Sequence, residues 1–193
     1  RDRYNNAPYK HIISALRELG LCEDFMTFIE NFLYNRQTTI KIGKAKATRT
    51  LIVGVSQGSI LSCLLWNAYI NPLLTSTNQS GIGKGGNTVI AYADDIACLN
   101  SGVYDKQVHR NHQRSVNKVS EWIKRHGLKV EPSKCDVIYF TTKHKNPNKK
   151  ISINNEEQEY SESTKYLGVT LCKRLNMTPH IQNKIRACFQ KLW

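Results

Sequence analysis

Val89-Ile90-Ala91-Tyr92-Ala93-Asp94-Asp95-Ile96-Ala97-Cys98-Leu99 sets two adjacent carboxylates inside an apolar run. Ionised carboxylates near apolar surface lose hydration, and two side by side repel each other. A cation relieves both costs, and hard carboxylate oxygens select Mg²⁺ or Mn²⁺. A plainer reading is a β-hairpin whose turn uses Asp-Asp for local hydrogen bonds, with both side chains in water. By itself the dipeptide is satisfied by the turn.

A second segment changes that balance. Gly54-Val55-Ser56-Gln57-Gly58-Ser59-Ile60-Leu61-Ser62 reads as a tight loop that lets backbone approach a partner closely. It leads into Cys63-Leu64-Leu65-Trp66-Asn67-Ala68-Tyr69-Ile70-Asn71, where Leu61, Leu64, Leu65, Ala68 and Tyr69 fit one face of a helix. The loop therefore opens a helix and holds a long polar amide at its entrance. A capped helix alone also accounts for it.

Taken together and in order, the two segments closely resemble the reverse transcriptase domain of non-LTR, LINE-like retrotransposons. Downstream, Gly127-Leu128-Lys129-Val130-Glu131-Pro132-Ser133-Lys134-Cys135 is similar to the family's lysine-bearing segment. Tyr166-Leu167-Gly168-Val169 resembles its primer-grip turn, and Tyr4-Asn5-Asn6-Ala7-Pro8 the tail of its first catalytic motif. The resemblance covers nearly the whole chain.

Bulk composition agrees. With 193 residues, 40% hydrophobic and 22% charged, the chain can bury a real core, as one large domain or one and a fraction. Its 28 Lys and Arg against 15 Asp and Glu leave a net charge of +13, pointing to a polyanionic partner. Nucleic acid is the simplest, because phosphate neutralisation supplies most non-specific affinity. A membrane surface is the rival, but no stretch reaches transmembrane length and Arg1-Asp2-Arg3 does not begin a signal peptide. Cys22, Cys63, Cys98, Cys135, Cys172 and Cys188 are scattered without a zinc or dithiol pattern, four of them in apolar surroundings, which favours buried thiols in a reducing interior.

Periodicity predicts a helix with Ile12, Ile13, Leu16 and Leu19 on one face up to Gly20, and a second with Phe25, Phe28, Ile29, Phe32 and Leu33. Thr38–Ile42 and Arg49–Val53 read as strands around a Gly-Lys turn, with Lys41, Lys44, Lys46 and Arg49 as cations on that hairpin. Gly81–Gly86 is a hairpin connection rather than a phosphate loop, since no strand precedes it and no Lys-Ser/Thr follows. A helix carrying Val108, His112, Val116, Val119 and Ile123 ends at Gly127. Asp136–Phe140, Ile151–Ile153 and Tyr166–Leu171 read as short strands, the tract from Lys143 to Lys150 as a solvated loop, and Ile181–Trp193 as a basic helix.

This order predicts an α+β fold. The resemblance implies a right-hand polymerase palm, an antiparallel sheet covered by helices, with part of the fingers over 1–170 and the start of the thumb over 171–193. It implies RNA-directed DNA synthesis with two Mg²⁺ or Mn²⁺ ions, an RNA template, a DNA primer and deoxynucleoside triphosphates. Asp94 is expected as the main metal ligand of the pair and Asp95 as its support. Tyr92 would share a sheet face with Asp94 beneath the primer end. Tyr4, Gln57 and Gly58 would meet the incoming nucleotide, Lys134 would protonate the leaving pyrophosphate, and Leu167 with Gly168 would turn against the primer.

In the family a further Asp precedes the aromatic that Tyr4 matches, which places it before residue 1; Asp2 is out of register. The chain is thus expected to be cut within its first catalytic motif, to follow the rest of a retrotransposon polyprotein, and to show little polymerase activity alone. Ser56 and Cys63 stand where the family favours Pro, and Cys172 where it often has an acidic residue. A basic, catalytically inactive palm-like RNA-binding scaffold is the alternative, and an unrelated basic α+β module would require all the segments to be accidental. Localisation stays open between nucleus and cytoplasm.

Overall fold

The computed structural model describes residues 7–34, 36–55, 58–77, 86–142, 147 and 149–192. Its contacts divide the chain into two units, Arg1–Val130 and Glu131–Trp193. Tyr4, Gln57 and the glycine-rich stretch 81–85 lie outside the described residues.

In the first unit, α1 (Tyr9–Glu18) buries Tyr9, Ile12, Ile13 and Leu16, whereas Leu19, expected in the same stripe, caps the helix and is exposed. It stops where Gly20 takes a φ of +75°, a left-handed conformation that glycine adopts without Cβ strain. The next helix, α2 (Glu23–Leu33), buries Met26, Ile29 and Leu33. Phe25 and Phe28 instead face outward, stacked 6.1 Å apart, which corrects the expected stripe. Both faces satisfy helical spacing; packing against α1 selects the one carrying Met26.

β1 (Gln37–Ile42) and β2 (Ala45–Thr50) form an antiparallel hairpin exposed along its whole length. The second strand begins earlier than the apolar run 51–53 predicts. A two-residue turn at Gly43-Lys44 forces Ile42 to pair with Ala45, so connectivity fixes the register. Val53 leaves the hairpin and bridges to Pro8.

α3 (Ile60–Thr77) follows the glutamine-bearing loop. It buries Leu65, Trp66, Tyr69, Ile70 and Leu73, whereas Leu64 is 60% exposed, so the buried face is rotated from the expected one. β3 (Asn87–Tyr92) and β4 (Asp95–Asn100) make the predicted antiparallel hairpin. α4 (Asp105–Arg125) buries Ser115, Val119, Trp122 and Ile123 and closes with a Schellman cap. There Gly127 N–H reaches the Lys124 carbonyl at 3.1 Å and Leu128 N–H the Ile123 carbonyl at 3.0 Å. An aromatic seam joins the long helices: Tyr69 lies 5.5 Å from Trp66 and 5.6 Å from Trp122, and its hydroxyl donates to the His126 carbonyl. Each large apolar side chain buried in this core contributes roughly 1.5–3 kcal/mol.

The second unit carries β5 (Val137–Ile138), β6 (Ile151–Ile153), β7 (Glu156–Gln158), β8 (Tyr160–Ser161), β9 (Ser163–Tyr166), β10 (Val169–Cys172) and α5 (Thr178–Leu192). β6 pairs with β7 and β9 with β10 antiparallel, while β5 pairs with β8 in parallel. The predicted strand 136–140 shrinks to β5, and the predicted strand 166–171 is in fact a hairpin tip followed by β10. Leu167 and Gly168 occupy that tip with φ of +47° and +83°, the left-handed pair that a tight hairpin turn requires.

The α+β class stands. Among the described residues, however, the strands form separate two-stranded ladders rather than one continuous sheet. None of the six cysteines is buried, against the expectation for four of them. No helix among the described residues is long and apolar enough to cross a membrane.

Candidate active site

The acidic pair sits where β3 turns into β4. Tyr92 pairs with Asp95 across the ladder, leaving Ala93 and Asp94 as the two turn residues. Ala93 takes a φ of +51°, a conformation that costs an L-residue roughly 1–2 kcal/mol. Asp94 is half-buried and Asp95 exposed. Strand alternation therefore does not put Asp94 on the face of Tyr92. Directly opposed residues share a face, so Asp95 accompanies Tyr92 there.

What fixes this turn is Trp66. Its indole Nε1 donates to the Ala93 carbonyl at 2.6 Å, from a ring only 2% exposed. Trp66 stands on the first turns of α3, directly after the loop that carries Gln57 and Gly58. The two sequence segments are thus tied within one unit, through a residue that sequence reasoning passed over. The available signal was a polar-tipped aromatic in the middle of an apolar helix, since a buried indole N–H needs an acceptor.

Gly58 has a φ of +88° and open space where a Cβ would stand, so its role in the loop is conformational rather than steric. Lys134 closes a short 3₁₀ turn, Pro132–Lys134, and is exposed in the second unit, as is the Leu167-Gly168 turn. Among the described residues no three His, Cys, Asp or Glu side chains gather to hold a metal. Asp94 and Asp95 offer hard carboxylate oxygens, the donor type that Mg²⁺ takes from proteins beside waters or substrate phosphates.

A profile of the reverse transcriptase (RNA-dependent DNA polymerase) family matches residues 1–171. The chain is 30% identical over 166 residues to a probable RNA-directed DNA polymerase from transposon BS of Drosophila melanogaster, covering 85% of this chain and 18% of that protein. It is 24% identical over 157 residues to the RNA-directed DNA polymerase from mobile element jockey of the same fly, covering 80% of this chain and 17% of the relative. Against a Retrovirus-related Pol polyprotein from type-1 retrotransposable element R2 of Popillia japonica, identity is 36% over 107 residues, 51% of this chain and 15% of the polyprotein. The chain spans less than a fifth of the length of each of these relatives. It belongs to the reverse transcriptase (RNA-dependent DNA polymerase) family, in the LINE-like branch of non-LTR retrotransposons.

Proposed function

We propose that this chain is the polymerase portion of a retrotransposon protein and carries out RNA-templated DNA synthesis by nucleotidyl transfer to a primer end. The observation that carries the reading is the Trp66 hydrogen bond to Ala93, which couples the helix behind the glutamine loop to the turn bearing Asp94. In this reading residues 1–170 are palm with part of the fingers and 171–193 begin the thumb.

Asp94 and Asp95 would hold Mg²⁺ or Mn²⁺. Divalent ions held by these carboxylates would supply Lewis-acid stabilisation of the charge that develops during nucleotidyl transfer. Tyr92 presents an exposed ring beside Asp95 for contact with the primer end. Gln57 offers an amide that donates and accepts along the groove of the nascent pair, and Gly58 lets backbone come close. Tyr4 serves as the aromatic that excludes a ribose 2′-hydroxyl, an assignment that rests on the resemblance of its segment. Lys134 acts as proton donor to pyrophosphate, and Leu167 with Gly168 contacts the primer; both assignments rest on the resemblance of the segments that carry them.

The test is primer extension on an RNA template. Incorporation that requires Mg²⁺ or Mn²⁺ and disappears in Asp94→Ala is the expected result. RNA binding without incorporation in the parent protein would favour the inactive scaffold instead.

The β1–β2 hairpin supplies a template or primer contact. One face of this ribbon carries Gln37, Thr39, Lys41, Lys46, Thr48 and Thr50, while Thr38, Ile40, Ile42, Ala45, Ala47 and Arg49 lie on the other. Lys41 sits directly opposite Lys46, a like-charge pair that repels until an anion lies against it. Replacing both with Gln is expected to reduce the slope of log affinity against log salt for RNA by about 1–2, without changing its sequence preference. Binding measured between low and moderate salt checks this; an unchanged slope removes the hairpin from the interface.

A further inference from the structure

Two backbone segments meet beside α1. Pro8 and Val53 form an isolated antiparallel bridge, and the Gly54 N–H donates to the Ala7 carbonyl at 2.9 Å. Tyr4 stands three residues before Ala7, and Gln57 three residues after Gly54. The stems of both candidate nucleotide-binding segments are therefore paired with each other.

One side chain closes the pair. Arg36 Nη2 donates both to the Gly54 carbonyl and, at 2.9 Å, to the Tyr9 hydroxyl. That hydroxyl in turn lies 3.3 Å from the Val53 carbonyl and 3.5 Å from that of Leu51. The guanidinium sits 5.7 Å from the centre of the Tyr9 ring, and Tyr34 meets the same ring edge-on at 5.5 Å. Leu51 N–H also returns to the Arg36 carbonyl at 2.8 Å, so Arg36 grips the outgoing chain with both backbone and side chain.

The surroundings make this grip stiff. Ala7 and Val55 are 0% and 2% exposed, and Tyr9 is buried. A cation donating to a backbone carbonyl in such a place makes one of the stronger kinds of hydrogen bond. Gly54 itself has a φ of +84°, so the chain bends at the gripped carbonyl, just before the loop begins. Among the described residues Arg36 Nε is buried without a hydrogen-bond partner, so Nη2 carries the bonds to both acceptors.

We propose that Arg36 is a positioning residue for nucleotide binding: with Tyr9 it locks the stem of the glutamine loop against the stem that leads to Tyr4. It touches neither metal nor substrate in this scheme, which rests on the polymerase reading above. Loss of the lock lets Gly54 and Val55 swing, and binding energy of the incoming nucleotide is then spent on ordering the loop.

Two measurements test it. In Arg36→Met, amide hydrogen exchange across residues 51–55 should quicken by at least about tenfold, with α1, α3 and α4 little changed. Arg36→Lys should recover most of that protection, and Tyr9→Phe should show a smaller version of the loss. Unchanged exchange, or uniform quickening through the whole unit, overturns the lock. In a polypeptide with Asp94-dependent synthesis, Arg36→Met should raise the KM for deoxynucleotide about tenfold while kcat and RNA affinity stay within about twofold. A fall in kcat or stability at constant KM assigns Arg36 a merely structural part and overturns the proposal. Absence of Asp94-dependent synthesis in the parent overturns the polymerase reading, while the exchange arm still judges the lock.

Discussion

Trp66→Ala is expected to lower the unfolding free energy of the first unit by about 3–5 kcal/mol, the range for deleting a fully buried aromatic. Trp66 is 2% exposed and packs on Tyr69, which continues the seam to Trp122. Its removal opens a cavity in the core cluster that it shares with Tyr69 and Trp122, whose close packing leaves little means of collapse. Trp66→Phe separates packing from the hydrogen bond. The ring keeps most of its contacts, the Ala93 carbonyl loses its donor, and stability should fall by only about 1 kcal/mol. Ala93 is then held in its left-handed conformation by the hairpin alone. Polymerase activity should drop in Trp66→Phe more than its stability loss explains, because the turn that aims Asp94 has lost its tether. Denaturant melts alongside single-turnover extension check this; wild-type activity in a folded Trp66→Phe protein would reduce the hydrogen bond to a packing detail.

Acid is expected to weaken the same unit through His112. The ring lies behind the hairpin, where Asn100 Nδ2 approaches its Nδ1 at 2.9 Å and Ser115 Oγ reaches Asn100 Oδ1 at 2.9 Å. An amide nitrogen only donates, so Nδ1 is the acceptor and the proton of neutral His112 sits on Nε2. Burial, aided by the nearby His109, lowers the His112 pKa to about 4. The unfolded chain, with an ordinary histidine value near 6.5, binds the proton earlier. Stability from this group is therefore complete above about pH 6.5 and lost as the pH falls towards 4, by about 3 kcal/mol. His11 shifts in the same direction, through burial first and then the charge of His126, whose ring is 4.9 Å away. His112→Gln keeps an acceptor for Asn100 and should flatten the acid limb. Urea melts between pH 7 and 4.5 measure the difference, and parallel curves for the two proteins would remove His112 as the source.

Local signals were enough to read α1, α4 with its Gly127 stop and the β3–β4 hairpin, whereas the Leu167-Gly168 turn reads as strand from its residues. Each is dictated by side-chain period or by a left-handed backbone position within a few residues, and such preferences act before any long-range contact forms. The family was legible for the same reason, since its segments are short and ordered along the chain.

Tertiary packing decided the rest. α3 is apolar on nearly every side, so no stripe in its sequence selects Trp66, Ile70 and Leu73 over Leu64; the neighbouring β3 and α4 do. On α2, Met26 wins over Phe25 through the position of α1. The tether from Trp66 to Ala93 crosses 27 residues, and so does the bond from Arg36 to Tyr9. Nothing at either end of such a pair encodes the other, because a donor only acquires its acceptor once the helices and hairpins have packed.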